Sequence, residues 1–255
     1  MTEPDTRDAF LGGRLHLWQP RRGYRAGIDP VLLAAAVPAK PGQSVLDLGC
    51  GVGAAALCLH CRVPELALTG VERQGRYADL ARRNAAAAQA RMEVVEADLT
   101  ALPSAQRQQQ FDHVIANPPY YQPQTRSRAA DAGREAALAE DTPLERWIDV
   151  AARRLAPKGM VHLIQRANRL PALLAAIQTR LGSPEILPIA PRADRAAELI
   201  LLRARKGGRA AFRLHAPLIL HDGPQHVRDE DSYRPEISAV LRDAAPLGWP
   251  GAQHG

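Results

Sequence analysis

Between residues 43 and 205 short β-rich runs alternate with segments of helical periodicity, and this alternation limits the possible folds more than any other feature of the chain. The runs 43–48, 67–72, 92–95, 111–116, 159–165, 185–189 and 198–202 read as strands. The segments 54–61, 75–88, 143–155 and 170–181 read as helices, with Thr142-Pro143 and Asn168 as starts and Lys158-Gly159 and Gly182 as stops. A helix between two strands brings the second back parallel to the first, so the pattern predicts a parallel sheet with helices on both faces. No helix separates the last two runs, so the final strand is expected to run antiparallel. The expectation is therefore an α/β fold: a mostly parallel seven-stranded sheet with an antiparallel last strand.

Residues 1–40 precede this core and contain one helical stretch, 30–37; residues 41–206 form the core, and 207–255 a C-terminal extension. The Pro/Gly/His-rich end, 246–255, reads as frayed, and no linker separates a second domain. At 255 residues, with 46% hydrophobic and 24% charged, the chain can bury a core without disulfides, which excludes wholesale disorder. No window approaches the ~18 apolar residues of a spanning helix. The first seven residues carry two acids and lack the basic and apolar regions of a signal peptide, so the expected location is the cytoplasm. Cys50, Cys58 and Cys61 cluster with no second ligand pair downstream, and they read as packed cysteines with no metal.

The chemistry concentrates at the strand ends. Asp47-Leu48-Gly49-Cys50-Gly51-Val52-Gly53 follows the first strand and opens a helix, a turn where glycines admit a ligand to the backbone. It departs from the dinucleotide fingerprint because the third glycine comes one residue early and Ala54 takes its place. Asp47 would also repel a pyrophosphate, and it suits a ligand that carries an ammonium there. Glu72 ends the next strand, where a carboxylate accepts from both hydroxyls of a ribose. Arg73 beside it counts as cofactor-side. Asp98 follows the third run and can accept an adenine amine, while Leu99 offers a backbone amide to a ring nitrogen. Three acids on successive strand ends describe an amino-acid-bearing adenosine.

Asn117-Pro118-Pro119-Tyr120 follows the strand 111–116, at the edge where doubly wound folds hold ligands. Two prolines donate no backbone hydrogen bonds, so the carbonyls of Asn117 and Pro118 are stiffly presented acceptors. With the Asn117 side-chain oxygen they can hold both hydrogens of a planar amine, and Tyr120 offers a face for a flipped base.

Asp47 to Gly53, Glu72, Asp98 and the Asn-Pro-Pro-Tyr run together resemble the class I S-adenosylmethionine-dependent amino-methyltransferases, which have a Rossmann-like fold. Gln19, the segment Tyr24-Arg25-Ala26-Gly27-Ile28-Asp29-Pro30-Val31-Leu32-Leu33 and Lys206-Gly207-Gly208-Arg209 resemble the subgroup that methylates adenine N6 beside the anticodon of valine tRNA. The resemblance implies that Asp47, Gly49 and Gly51 line the methionine part of S-adenosyl-L-methionine, Glu72 the ribose, and Asp98 with Leu99 the adenine. It implies that Asn117, Pro118, Pro119 and Tyr120 are the catalytic residues, and it places Arg25 and Asp29 on the cofactor side. Gln165-Arg166 stands where relatives often carry a histidine-arginine pair. The implied partner is nucleic acid, tRNA first, with no membrane and no obligate protein partner.

Rival readings are methylation of a protein glutamine amide, of DNA or of ribosomal RNA, a nicotinamide oxidoreductase, and a non-catalytic RNA-binding module. Release-factor methyltransferases share the Asn-Pro-Pro-Tyr motif but generally add a helical N-terminal domain, and here only a short segment, 1–40, stands before the first strand. The net charge of +6 is uneven: six acids face three arginines from His215 onward, which leaves +9 on the stretch from Met1 to Leu214. Arg126, Arg128 and Arg134, Arg192 and Arg195, and five basic residues between Arg203 and Arg213 are therefore candidates for an RNA path at the catalytic edge.

Overall fold

The computed structural model describes residues 5–120, 142–223 and 232–250. In chain order the elements are β1 (Thr6–Phe10), β2 (Leu15–Gln19), α1 (Asp29–Ala36), β3 (Ser44–Leu48), α2 (Ala54–Arg62), β4 (Ala67–Glu72), α3 (Gly75–Ala87), β5 (Met92–Glu96) and α4 (Ser104–Gln108). They continue with β6 (Phe111–Ala116), α5 (Leu144–Arg154), β7 (Leu155–Arg166), α6 (Leu170–Gln178), β8 (Gly182–Ala190), β9 (Leu199–Arg205), β10 (Arg213–Leu214), β11 (Leu218–Ile219) and α7 (Pro235–Asp243).

The main sheet has the order β10-β8-β9-β7-β6-β3-β4-β5, with the short β11 also on β8. β3 pairs in parallel with β4 on one side and β6 on the other. β9 lies between β7 and β8 and is antiparallel to both. The seven expected strands are thus present in the expected directions. Side chains alternate between two core layers, as a period of two requires. Val45, Ile115, Ile164 and Leu201 face the layer of α1 and α2, while Leu46, Val114, Leu163 and Leu202 face the other. α5 joins that second layer through Leu144, Trp147, Ile148, Ala151 and Ala152, a helical stripe that leaves its arginines outside.

Because β3 has β4 on one flank and β6 on the other, the chain leaves the sheet centre in one direction and returns in the opposite one. The crevice between the ends of β3 and β6 is the switch point where doubly wound sheets open a ligand site.

Several features differ from the sequence reading. The segment ahead of β3 holds a hairpin, β1 with β2, besides α1. Asn84, fully buried on α3, fastens it: Oδ1 accepts from Trp18 N at 2.7 Å, and Nδ2 donates to the Trp18 and Val52 carbonyls. Neither Thr142 nor Asn168 caps a helix; Pro143 and Arg169 hold those positions with no side-chain hydrogen bond. Lys158-Gly159 does not stop α5 either. β7 has already begun at Leu155, and Lys158 takes a left-handed φ of 67° inside its irregular first half. The end of the chain does not fray where it is described. Trp249 is buried and donates from Nε1 to Ala36 O at 2.9 Å, while Leu247 N donates to Ala35 O. These two bonds satisfy carbonyls that a helix C-terminus otherwise leaves open. Among the described residues no helix is long and apolar enough to cross a membrane.

Candidate active site

The loop after β3 turns through left-handed backbone at Gly49, Gly51 and Gly53, with φ of 65°, 55° and 84°. At Gly49 conformation and space coincide: a Cβ there would lie 2.6 Å from the Trp147 ring of α5. Only glycine fits both demands. Asp47 is 3% exposed, and its Oδ2 has no hydrogen-bond partner among the described residues. Burial pushes its carboxyl up to about 8; a hydrogen bond to the Ala56 backbone opposes the rise, and the nearby Glu72 carboxyl adds to it.

Glu72, buried at the end of β4, ties this loop to the sheet. Its Oε2 accepts from Gly51 N and its Oε1 from Gln74 N, both at 2.9 Å. Burial raises its carboxyl above the usual range despite these backbone donors. The Arg73 backbone donates to the same carboxylate, so three backbone donors leave one of its four acceptor sites for a further donor. Arg73 is exposed beside it. Asp98 follows β5 and caps a 3-10 turn, with Oδ1 accepting from Thr100 N and Oγ1 at 2.7 Å. Those bonds hold its carboxyl below the usual range, so it is an anion with one oxygen uncommitted. Leu99 is buried.

Across the crevice, three positions of the Asn-Pro-Pro-Tyr run are gripped from other elements. Asn117 Nδ2 donates to Tyr24 Oη at 3.3 Å. The Pro118 carbonyl accepts from Nε2 of the fully buried Gln165 at 3.2 Å, and Gln165 Oε1 accepts from Arg166 N. Tyr120 Oη donates to Asp29 Oδ2 at 2.5 Å. The Arg166 guanidinium stands 5.3 Å from the Tyr120 ring centroid. Burial, reinforced by Asp29, raises the Tyr120 phenol well above its ordinary value, so it stays protonated.

The structure therefore brings Asp47, Gly49, Gly51, Glu72, Asp98, Asn117, Pro118, Pro119, Tyr120 and Asp29 to one edge of the sheet. Some expected partners point elsewhere. The Arg25 guanidinium donates to Thr6 Oγ1, Pro20 O and Asp8 Oδ2, and so braces the hairpin. Pro118 O has only one lone pair left, because Gln165 takes the other.

The arginine clusters separate in the same way. Arg192 is buried and donates to the Asp222 and Gly223 carbonyls, so it anchors the C-terminal segment. Arg205 pairs with Met160 midway along β7 and with Gly182 at the start of β8, whereas Leu199 pairs with Arg166 and Ile189 toward their ends. The stretch from Arg203 to Arg213 thus lies toward the edge opposite Tyr120, which removes it from the expected path. Arg195 is exposed in the β8–β9 loop on the catalytic edge. Arg126, Arg128 and Arg134 lie outside the described residues.

Residues 26–182 match the methyltransferase small domain family. The chain belongs to this family. A tRNA1(Val) (adenine(37)-N6)-methyltransferase of Porphyromonas gingivalis is 32% identical over 238 residues, covering 87% of this chain and 92% of its own. A crystal structure from Agrobacterium tumefaciens, a predicted O-methyltransferase, protein Atu636, is 31% identical with a TM-score of 0.71, and 87% of this chain covers 99% of that one. The 16S rRNA N2 G1207 methyltransferase of T. thermophilus in complex with AdoMet and guanosine shares the fold, with 22% identity, a TM-score of 0.55 and coverage of 79% and 50%.

The chain is thus an S-adenosylmethionine-dependent methyltransferase, and its crevice fits that cofactor. A cationic amino group would satisfy the orphaned Asp47 Oδ2, the remaining acceptor site of Glu72 suits a hydroxyl donor, and the Asp98 carboxylate suits an amine donor. The sequence by itself points to no role for Tyr24, Tyr77, Trp147 or Gln165. Only Tyr24 and Gln165 stand in segments that the family pattern singles out, and their bonds to Asn117 and Pro118 arise solely from folding.

Proposed function

We propose that the protein transfers a methyl group from S-adenosylmethionine to the exocyclic N6 of an adenine in tRNA, position 37 of tRNA1(Val) being the first candidate. The observation that carries this reading is the grip on Asn117: its amide nitrogen is bound by Tyr24, which leaves its oxygen, unbonded among the described residues, to accept from an amine. The remaining Pro118 lone pair offers a second acceptor, and two acceptors fit the two hydrogens of an amine. Asp47 would hold the cofactor's ammonium, Gly49 and Gly51 its methionine part, Glu72 its ribose, and Asp98 with Leu99 its adenine. Asp29 would act through Tyr120 by fixing the ring on which the base stacks. Arg73, which acts electrostatically on Asp98, would stay on the cofactor side, and Arg25, engaged by the hairpin, would stand outside direct contact.

S-adenosylmethionine supplies a methyl group on a sulfonium, which is already electrophilic. The protein's task is to draw the amine lone pair out of conjugation with the ring and to aim it in line. Asn117 and Pro118 do this by accepting both hydrogens in a tetrahedral arrangement, and the proton leaves once the nitrogen is cationic. An oxygen acceptor is disfavoured by the same geometry. A hydroxyl has a single hydrogen and needs a base to remove it, whereas the groups facing the crevice at Asn117 and Pro118 are neutral amide oxygens.

The tRNA-modifying relative above, the excess of +9 between Met1 and Leu214 and the exposed Arg195 support an RNA substrate. The test is transfer of labelled methyl to unmodified valine tRNA, total tRNA, ribosomal RNA and protein in parallel, followed by nucleoside analysis. N6-methyladenosine in tRNA is the expected product; label confined to protein or ribosomal RNA would refute it. Asn117→Ala should lower kcat on the order of 10²-fold while cofactor binding persists.

A further inference from the structure

The amide of Asn117 has two ends of nearly equal size, and only one of them can serve an amine. With the oxygen outward the residue accepts; flipped, it would set its own NH2 against the NH2 of the base. The Asn-Pro-Pro-Tyr run does not by itself choose between these orientations. A partner on the nitrogen side must choose, and that partner is Tyr24.

Tyr24 precedes α1 and is held from two directions. Its backbone N–H donates to Tyr77 Oη at 2.9 Å, and Tyr77 Oη donates to the Tyr24 carbonyl at 3.2 Å, so α3 clamps the residue by its main chain. Its ring stands over the cofactor loop, with Cε1 3.9 Å from the position a Gly51 Cβ would occupy. From there the hydroxyl reaches Asn117 Nδ2. A hydroxyl can donate as well as accept, so its own orientation also matters. The Asp29 carboxylate lies close enough to act on it electrostatically, and it attracts its hydrogen. The lone pair is then left for Asn117, which must present nitrogen to it.

We propose that Tyr24 is a positioning residue that orients the Asn117 amide with its oxygen toward the target amine. The inference rests on Asn117 being the acceptor for that amine. Tyr24 is not a base. Burial, with the Asp29 carboxylate adding to it, raises its phenol far above the ordinary value, so it remains protonated throughout the working range. Its contribution is to orientation and belongs to kcat.

The test is a double-mutant cycle on valine tRNA transcript with wild type, Tyr24→Phe, Asn117→Ala and the double variant. Phenylalanine keeps the ring over Gly51 and removes only the hydroxyl. Tyr24→Phe is expected to lower kcat about tenfold, the scale of one lost orienting hydrogen bond, with KM for RNA, cofactor Kd and the circular dichroism melting curve unchanged. In the Asn117→Ala background the same change should do nothing further, because no amide remains to orient. Equal losses in both backgrounds, a loss confined to KM or cofactor Kd, or wild-type turnover in Tyr24→Phe would each overturn the role. A wild-type rate in Asn117→Ala would instead remove the acceptor reading, and inert wild-type protein would remove the substrate. Asn117→Ala slow with Tyr24→Phe at full rate refutes Tyr24 alone.

Discussion

S-adenosylmethionine binding should strengthen with rising pH below neutrality, and Asp47 is the cause. Its carboxyl is buried, one oxygen has no partner among the described residues, and the group titrates at about 8 before a cation arrives. The cofactor's ammonium binds the ionised form. Only about 1% of the protein carries that form at pH 6 and about 9% at pH 7, a tenfold change equivalent to ~1.4 kcal/mol. An α-amino group stays protonated over this interval, so the carboxylate alone sets the slope. Calorimetric Kd should therefore fall about tenfold from pH 6 to pH 7. Asp47→Asn, which keeps the shape and removes the titration, should bind more weakly than wild type at pH 7 with a nearly flat profile. Parallel profiles for the two proteins would show that Asp47 does not meet the ammonium.

Gly49→Ala forces a side chain onto left-handed backbone and toward the Trp147 ring, so urea unfolding should register a loss of about 1–3 kcal/mol, with weakened cofactor binding. His113 bonds through Nδ1 to Nε2 of the buried His162, and burial lowers its imidazole to about 4 from an ordinary 6.5. The unfolded chain therefore takes up a proton that the folded one refuses. Stability present above pH 6.5 should be lost as pH falls toward 4, by up to ~3 kcal/mol, and the loss should shrink in His113→Gln. Trp249→Ala deletes a buried ring and its bond to Ala36, and thermal or urea unfolding should show a cost of about 3–5 kcal/mol if the tail is docked.

Much of this molecule is local in origin. The strands β3, β4 and β6 were legible because short stretches of five or six residues rich in Val, Leu, Ile and Phe, bounded by turn residues, suit a strand buried on both faces. The strand-end acids and the Asn-Pro-Pro-Tyr run were legible for a related reason: a doubly wound sheet puts whatever follows a strand at its binding edge, so position in sequence already implies position in space. The hairpin escaped because five-residue strands such as Leu15–Gln19 show an alternation too short to separate from irregular chain, and what holds it is Asn84, 66 residues from Trp18. The tail looked frayed because its composition is that of a loop. Its order comes from α1 carbonyls near the opposite end of the chain, which need donors.

The catalytic edge divides along the same line. Residue types and their order along the chain determined which groups stand at the crevice. Folding alone decided which of them are free to act. Arg25 and Arg192 had the charge to bind a ligand and spend it on carboxylate, hydroxyl and carbonyl partners brought by β1, β2 and the C-terminal segment. Asn117 had the right chemistry in either orientation and depends on Tyr24, 93 residues earlier, to present the useful end. A hydrogen bond needs its atoms about 3 Å apart at a set angle, and that condition is met by the packing of distant elements rather than by any spacing along the chain.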